Sequence, residues 1–209
     1  MKDFFAADKE TTAETVVKKS VFITSVFPVD SAEDAEYSVN SIKKKYYDAT
    51  HNCYAYIIDA KCMRFSDDGE PQGTAGLPIL SVLKKKQLQR TLAVVTRYFG
   101  GVKLGAPGLV SAYSDAAANC LERADIKKYV YCSVLKLQFD YASIKSVDSV
   151  LNAHKAHAGV AETSFGEAVT YTVFAKEEKC GTIQNALIDN TNGLIEIEAA
   201  EKRYCVFDA

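Results

Sequence analysis

Seven side chains in the first half of the chain have the chemistry and spacing of a site: His51, Asp67, Asp68, Glu70, Thr74, Arg97 and Lys103. Asp67, Asp68 and Glu70 place three carboxylates within four residues. Oxygen ligands of this kind suit a hard cation such as Mg²⁺. Two of them, held in different environments, could also divide general acid and base roles. The same run is turn chemistry, because Asp side chains satisfy local backbone donors and a glycine follows directly. His51 could reach the acidic run if the strand it precedes lies beside it. A lone histidine is also commonly a structural group satisfied by its surroundings.

Two glycine-bearing stretches flank further candidates. Residues 73–76, Gly-Thr-Ala-Gly, lead into a helical pattern, and the backbone N–H groups at a helix start favour anions. A tight chain reversal would call for the same small residues. Residues 99–108, FGGVKLGAPG, join a strand to a helix, where phosphate loops sit. Gly100 and Gly105 have GxxxxG spacing, but Ala106 and Pro107 stand where a P-loop has Lys and Ser/Thr, and GxGxxG is missing. Hydrolysis of the P-loop type is therefore not expected. Arg97 and Lys103 flank this loop and could hold a phosphate or carboxylate, or pair with the acidic run. The chain carries no GxSxG or HExxH signature.

These residues must be positioned by elements that the hydrophobic pattern outlines. Residues 14–29 are β-branched and aromatic and predict a strand. Ala32, Ala35, Val39, Ile42 and Tyr46 recur at three and four, one face of a helix capped by Ser31. Residues 52–58 and 62–66 predict two strands joined by a turn at Asp59–Lys61. A helix over 76–86, a buried strand over 91–98 and a helix opened by Pro107 follow. That last helix would bury Leu109, Val110, Tyr113, Ala116, Ala117, Cys120 and Leu121. From Tyr129 a new series begins: a strand, a helix capped by Ser143 with Ile144, Val147, Leu151 and His154 on one face, strands near 158–164 and 167–175, a helix near 179–190, and a strand within 193–207. His157 falls at the end of the first of these helices. The order βαββαβ is the ferredoxin-like arrangement. The prediction is thus an α+β chain of two domains, 1–128 and 129–209.

Composition narrows the function classes. The 209 residues are 48% hydrophobic and 25% charged, as in an ordinary globular protein. Residues 1–129 carry 18 basic and 16 acidic side chains and residues 130–209 carry 7 and 11, net +2 and −4. Broad phosphate contact by the second half is disfavoured, and DNA is not an expected partner. Six cysteines without CxxC spacing predict buried, reduced thiols, with Cys62 in a hairpin. No apolar run approaches the ~20 residues that span a bilayer, and the acidic N-terminus is not a signal peptide. A cytoplasmic location without membrane contact is expected.

HNCYAYII, RFSDDGEPQGTAGLPIL and VVTRYFGGVKLGAPGLVSAY together resemble the IMPACT/YigZ family, over about residues 51–113. The resemblance implies a first domain like the second domain of a small-subunit ribosomal protein. It implies a ferredoxin-like second domain similar to the C-terminal domain of elongation factor G. It also implies a role in translation, since eukaryotic relatives bind an activator of the kinase that senses amino-acid starvation. The family generally has KLGxGGLVRAY where this chain has KLGAPGLVSAY: Pro107 replaces a glycine and Ser111 an arginine. Loss of that arginine leaves Arg97 and Lys103 to carry any phosphate contact.

No complete catalytic set and no cofactor signature is present, so binding is expected before catalysis. The partner expected is the ribosome or a translation-associated protein or RNA. The alternative is a metal-dependent hydrolase of a small phosphorylated or nucleotide substrate, with Asp67, Asp68 and Glu70 on the metal and His51 as base. A third reading has the motif only staple the fold.

Overall fold

The computed structural model describes residues 3–207. Their elements are β1 (Phe4–Ala7), β2 (Thr11–Val17), β3 (Ser20–Pro28), α1 (Ala32–Lys45), β4 (His51–Ile57), β5 (Met63–Ser66), α2 (Gly76–Lys85), β6 (Thr91–Tyr98), α3 (Gly105–Arg123), β7 (Ile126–Phe139), α4 (Ile144–Ala153), β8 (Ala158–Phe165), β9 (Val169–Lys176), α5 (Cys180–Asn190) and β10 (Ile195–Phe207). The fold is α+β with two compact units, Phe4–Lys127 and one built mainly from residues 128–207.

The first unit is organised by the antiparallel sheet β2-β3-β6-β4-β5. Central β6 is buried along nearly its whole length, because helices cover both faces. Successive side chains of a strand point to opposite faces. Ala93 and Val95 accordingly join Phe22, Cys53, Ile79, Leu83 and Tyr113 in the core beneath α2 and α3. Leu92 and Val94 join Val39, Ile42 and Tyr56 beneath α1.

Four expectations need correction here. Residues 14–29 are not one strand but the hairpin β2–β3, with Val17 paired to Ser20. Lys18 and Lys19 form its two-residue turn with φ of 46° and 68°. A tight hairpin turn of this kind needs left-handed backbone at both positions. Two lysines accept it without the Asn or Gly that usually advertises it. The N-terminal stretch, which carried no predicted element, contains β1. Helix α3 starts at Gly105, so Pro107 lies within the first turn, where its missing N–H costs little. Val110, expected on the buried face of α3, is 40% exposed. Ser31 caps α1 as its spacing predicted, accepting from the Asp34 N–H at 3.1 Å.

The second unit has the order β10-β7-β9-β8, all antiparallel, with α4 and α5 as the connections. This is the ferredoxin-like βαββαβ topology. Its core joins Leu135, Leu137 and Val173 of the sheet to Val147, Leu151, Ile183 and Leu187 of the helices. The cap of α4 lies earlier than predicted. A short 3₁₀ turn over Tyr141–Ser143 precedes the helix, and Asp140, not Ser143, accepts the capping N–H bond. His154 is the half-buried C-cap of α4, and His157 lies past its end. All six cysteines are free; Cys53, Cys120, Cys132 and Cys205 are buried, and Cys62 is half-buried in the β4–β5 turn. No helix among the described residues is long and apolar enough to cross a membrane.

Candidate functional site

Strand register brings the first residues together. Phe22 of β3 pairs with Arg97 of β6, and Arg97 pairs with His51 of β4. Directly opposed residues point to the same face, so the three form one row across the sheet under α3. The Arg97 guanidinium lies 5.6 Å from the ring centroids of both Phe22 and Phe99. Arg97 is 5% exposed.

A buried guanidinium needs a partner, and Glu70 supplies it: Nη1 donates to Oε1 at 2.5 Å. The same oxygen accepts the Tyr113 hydroxyl at 2.8 Å. Arg97 Nη2 reaches Ser20 Oγ at 3.4 Å, and Nε is buried with no protein partner. Burial pushes the Tyr113 hydroxyl strongly upward, with the neighbouring Cys53 and Glu70 adding to it, so Tyr113 is a donor to Glu70 and not a base. Desolvation likewise raises the Cys53 thiol to about 12; this cysteine is not a thiolate nucleophile.

His51 Nδ1 lies 2.8 Å from the Asp68 carbonyl oxygen. A carbonyl only accepts, so Nδ1 carries the proton and donates, which leaves the Nε2 lone pair free in the neutral ring. Nε2 stands 3.9 Å from Glu70 Oε2, beyond hydrogen-bond length. The chain approaches His51 closely: a Cβ on Gly69 would sit 3.3 Å from Nδ1, and Gly69 has a φ of +91°.

The three carboxylates of the acidic run diverge. Asp67 turns inward and accepts the N–H groups of Gly73, Ala75 and Gly76 at 2.9, 3.0 and 2.8 Å. It therefore occupies the anion site that the Gly-Thr-Ala-Gly stretch suggested, and it caps α2 in place of a side chain at the cap position. Asp68 accepts from Lys43 Nζ at 2.6 Å and from the Asn52 N–H at 2.7 Å. Glu70 goes to Arg97 and Tyr113. Among the described residues no three His, Cys, Asp or Glu side chains are placed to hold a metal ion. Thr74 is buried, and its hydroxyl donates to the Pro71 carbonyl at 2.6 Å.

A cavity of about 330 Å³ opens beside this network, lined by His51, Glu70, Arg97, Phe99, Lys103 and the first residues of α3. Four of the seven candidate residues thus meet at one cleft, while Asp67, Asp68 and Thr74 support its walls from behind. Lys103 is exposed at the rim and has no ion-pair partner among the described residues. Helix α3 begins there without a side-chain cap. Ser111 does not line the cavity; it is exposed on α3 and bonds to Asp115 at 3.0 Å. Gly100 fixes the loop: a Cβ there would meet the Lys19 backbone at 2.0 Å.

The residues that pattern reading missed are Lys43, Asn52, Cys53, Tyr113 and Ser20. Tyr113 read as one more apolar position of a helix face, and the other four carry no local signal.

Comparison with known proteins spans both units. The Impact N-terminal domain matches residues 18–121, and the domain of unknown function DUF1949 matches residues 137–194. The chain is 33% identical over 206 residues to the IMPACT family member YvyE of Bacillus subtilis, covering 98% of this chain and 94% of that one. It is 30% identical to the IMPACT family member YigZ of Escherichia coli, covering 89% and 92%. The Protein IMPACT homolog of Dictyostelium discoideum is 38% identical over 94 residues, 42% of this chain and 27% of the other. A crystal structure of a hypothetical protein superposes with a TM-score of 0.61 at 29% identity, covering 96% of this chain and 98% of that one.

Proposed function

The chain belongs to the IMPACT/YigZ family, and on that footing we propose that it regulates translation by docking on the ribosome or a translation-associated protein or RNA. The observation that carries this reading is the cleft of the first unit. Its floor is a buried polar network centred on the Arg97–Glu70 and Tyr113–Glu70 bonds, and its rim is open. Phe99 and Val102 are 49% and 41% exposed beside the exposed cation Lys103. Apolar side chains with an adjacent charge, held on a rigid base, are the composition of a recognition surface. A hydrolase would need Asp67, Asp68 and Glu70 to converge on a cation. Each is instead spent on different donors of the protein itself, which favours binding.

Lys103 is the residue to perturb, because Arg97 is buried and its reversal would break the core. Lys103→Glu should leave the melting temperature unchanged and remove salt-sensitive co-sedimentation with ribosomal particles. Co-sedimentation that survives in the folded variant counts against the cleft as the docking surface.

A further inference from the structure

We infer that the cleft binds a nucleotide through its phosphate group, at the N-terminus of α3. The inference deepens the docking reading and rests on it for the choice of cleft. Four features converge. First, α3 is 19 residues long, and its first turn has neither a side-chain cap nor an acidic residue. A helix start leaves backbone N–H groups unpaired and carries about half a positive charge; here Gly105 and Ala106 supply them, since Pro107 has no N–H. Asp67 fills the corresponding place at α2, and no side chain fills it at α3. Second, Arg97 forms part of the cavity wall, is 5% exposed, and holds a buried Nε with no partner. Such orphaned donors are rare in folded proteins. Third, Lys103 supplies a cation at the rim that no carboxylate among the described residues neutralises. The charge of Glu70 is offset by Arg97, so Lys103 and the helix end leave the cleft net positive. Fourth, beside Thr50 and His51 the remaining wall is mostly apolar: Pro71, Leu104, Leu109 and the half-exposed ring of Phe99.

The donor geometry selects phosphate over carboxylate. A carboxylate is recognised best by the two parallel N–H bonds of an arginine fork. Here Glu70 already occupies Nη1 of Arg97. What is left are donors from separate directions, a helix end and a flexible ammonium, which suit the several oxygens of a phosphate. The aromatic and aliphatic walls suit a nucleoside, because a base stacks on a Phe ring whatever its identity. The volume of about 330 Å³ lies at the low end of ligand pockets and accommodates a single nucleotide. That nucleotide can be free or the phosphorylated end of an RNA; the chemistry of the site is the same.

The test uses the full chain and titrates adenosine monophosphate, adenosine and inorganic phosphate by calorimetry. Lys103→Glu and Ala106→Asp are measured alongside. Ala106→Asp places a carboxylate in the first turn of α3, which favours the helix while occupying the phosphate position. Adenosine monophosphate should bind at least about tenfold tighter than adenosine, inorganic phosphate should compete, and each variant should weaken binding about tenfold or more with an unchanged melting curve. A second arm compares short RNAs bearing a 5′-phosphate or a 5′-hydroxyl. Preference for the 5′-phosphate RNA over the mononucleotide assigns the site to an RNA end, and equal binding assigns it to the free nucleotide. Binding that is unaltered in both variants overturns the inference. So does the absence of any phosphate-dependent binding to mononucleotide or RNA. If that happens while Lys103-dependent ribosome co-sedimentation persists, the docking reading stands without it. Nucleotide binding in a protein that never co-sediments removes the docking reading and leaves the nucleotide site.

Discussion

Asp67 is where the turn chemistry and the metal chemistry of the acidic run separate, and its removal tests which one operates. Its carboxylate accepts three backbone N–H bonds of 2.8 to 3.0 Å at the start of α2. A hydrogen bond to a charged acceptor is worth about 1.5–3 kcal/mol, and the helix-end interaction adds about 0.3–1 kcal/mol. The three bonds share one group, so they do not sum in full. Asp67→Ala should cost about 3–5 kcal/mol. For a chain of this size that lowers the melting temperature by about 6–20 °C. Asp67→Asn keeps an oxygen for Ala75 and Gly76 but loses the charge and turns its amide toward Gly73. It should fall about midway. Thermal and urea denaturation followed by circular dichroism measure the loss. Amide hydrogen exchange at Gly73, Ala75 and Gly76 localises it. A melting temperature within about 2 °C of the parent for Asp67→Ala, with those amides equally protected, would refute the assignment of Asp67 as the cap of α2.

Other predictions follow from the same structure. Arg97→Met alone should destabilise by about 3–5 kcal/mol by leaving the Glu70 charge buried, and Arg97→Met with Glu70→Gln should recover most of that loss in urea denaturation. Gly100→Ala should be far more disruptive than Gly101→Ala, because only at Gly100 would the new Cβ collide with the Lys19 backbone; soluble yield and melting temperature report the contrast. Alkylation near pH 8 should label the half-buried Cys62 and Cys180 and spare Cys53, Cys120 and Cys132 until the chain unfolds, as read by mass spectrometry. Burial raises the thiols of Cys53, Cys120 and Cys132 from 9.0 to about 12, 11 and 12. Between those values the unfolded state has released protons that the folded state still holds, so stability falls as pH rises above 9. A urea midpoint that is flat from about pH 8 to about pH 11 would contradict this.

The fold was legible wherever periodicity and capping agreed. Ser31 with the apolar positions of α1, the buried run of β6 and the βαββαβ order after Tyr129 all carry period signals that tertiary packing reinforces. The β2–β3 turn was hidden because Lys18 and Lys19 take left-handed backbone that sequence assigns to Asn or Gly. Asp140 takes the capping role that spacing assigns to Ser143, because an intervening 3₁₀ turn shifts the cap by one turn. At the cleft, residue types pointed to His51, Glu70, Arg97 and Lys103, yet nothing local foretold their partners. Arg97 lies 27 residues from Glu70 and 77 from Ser20; only sheet register and the placement of α3 bring them together. The acidic run illustrates the limit most clearly. Its spacing fits a metal site, and the direction each side chain takes, fixed by left-handed backbone at Asp68 and Gly69, sends the three carboxylates to three different sets of donors.

The central claim is that the cleft of the first unit docks on the translation machinery. Sedimentation of a cell lysate through sucrose gradients at low and high salt, for the parent chain and for Lys103→Glu, tests it most directly. The account predicts that the parent migrates with ribosomal particles at low salt, is released at high salt, and that Lys103→Glu stays at the top of both gradients while melting like the parent. A parent chain that stays at the top at both salts, or a Lys103→Glu variant that still migrates with the particles, would contradict it.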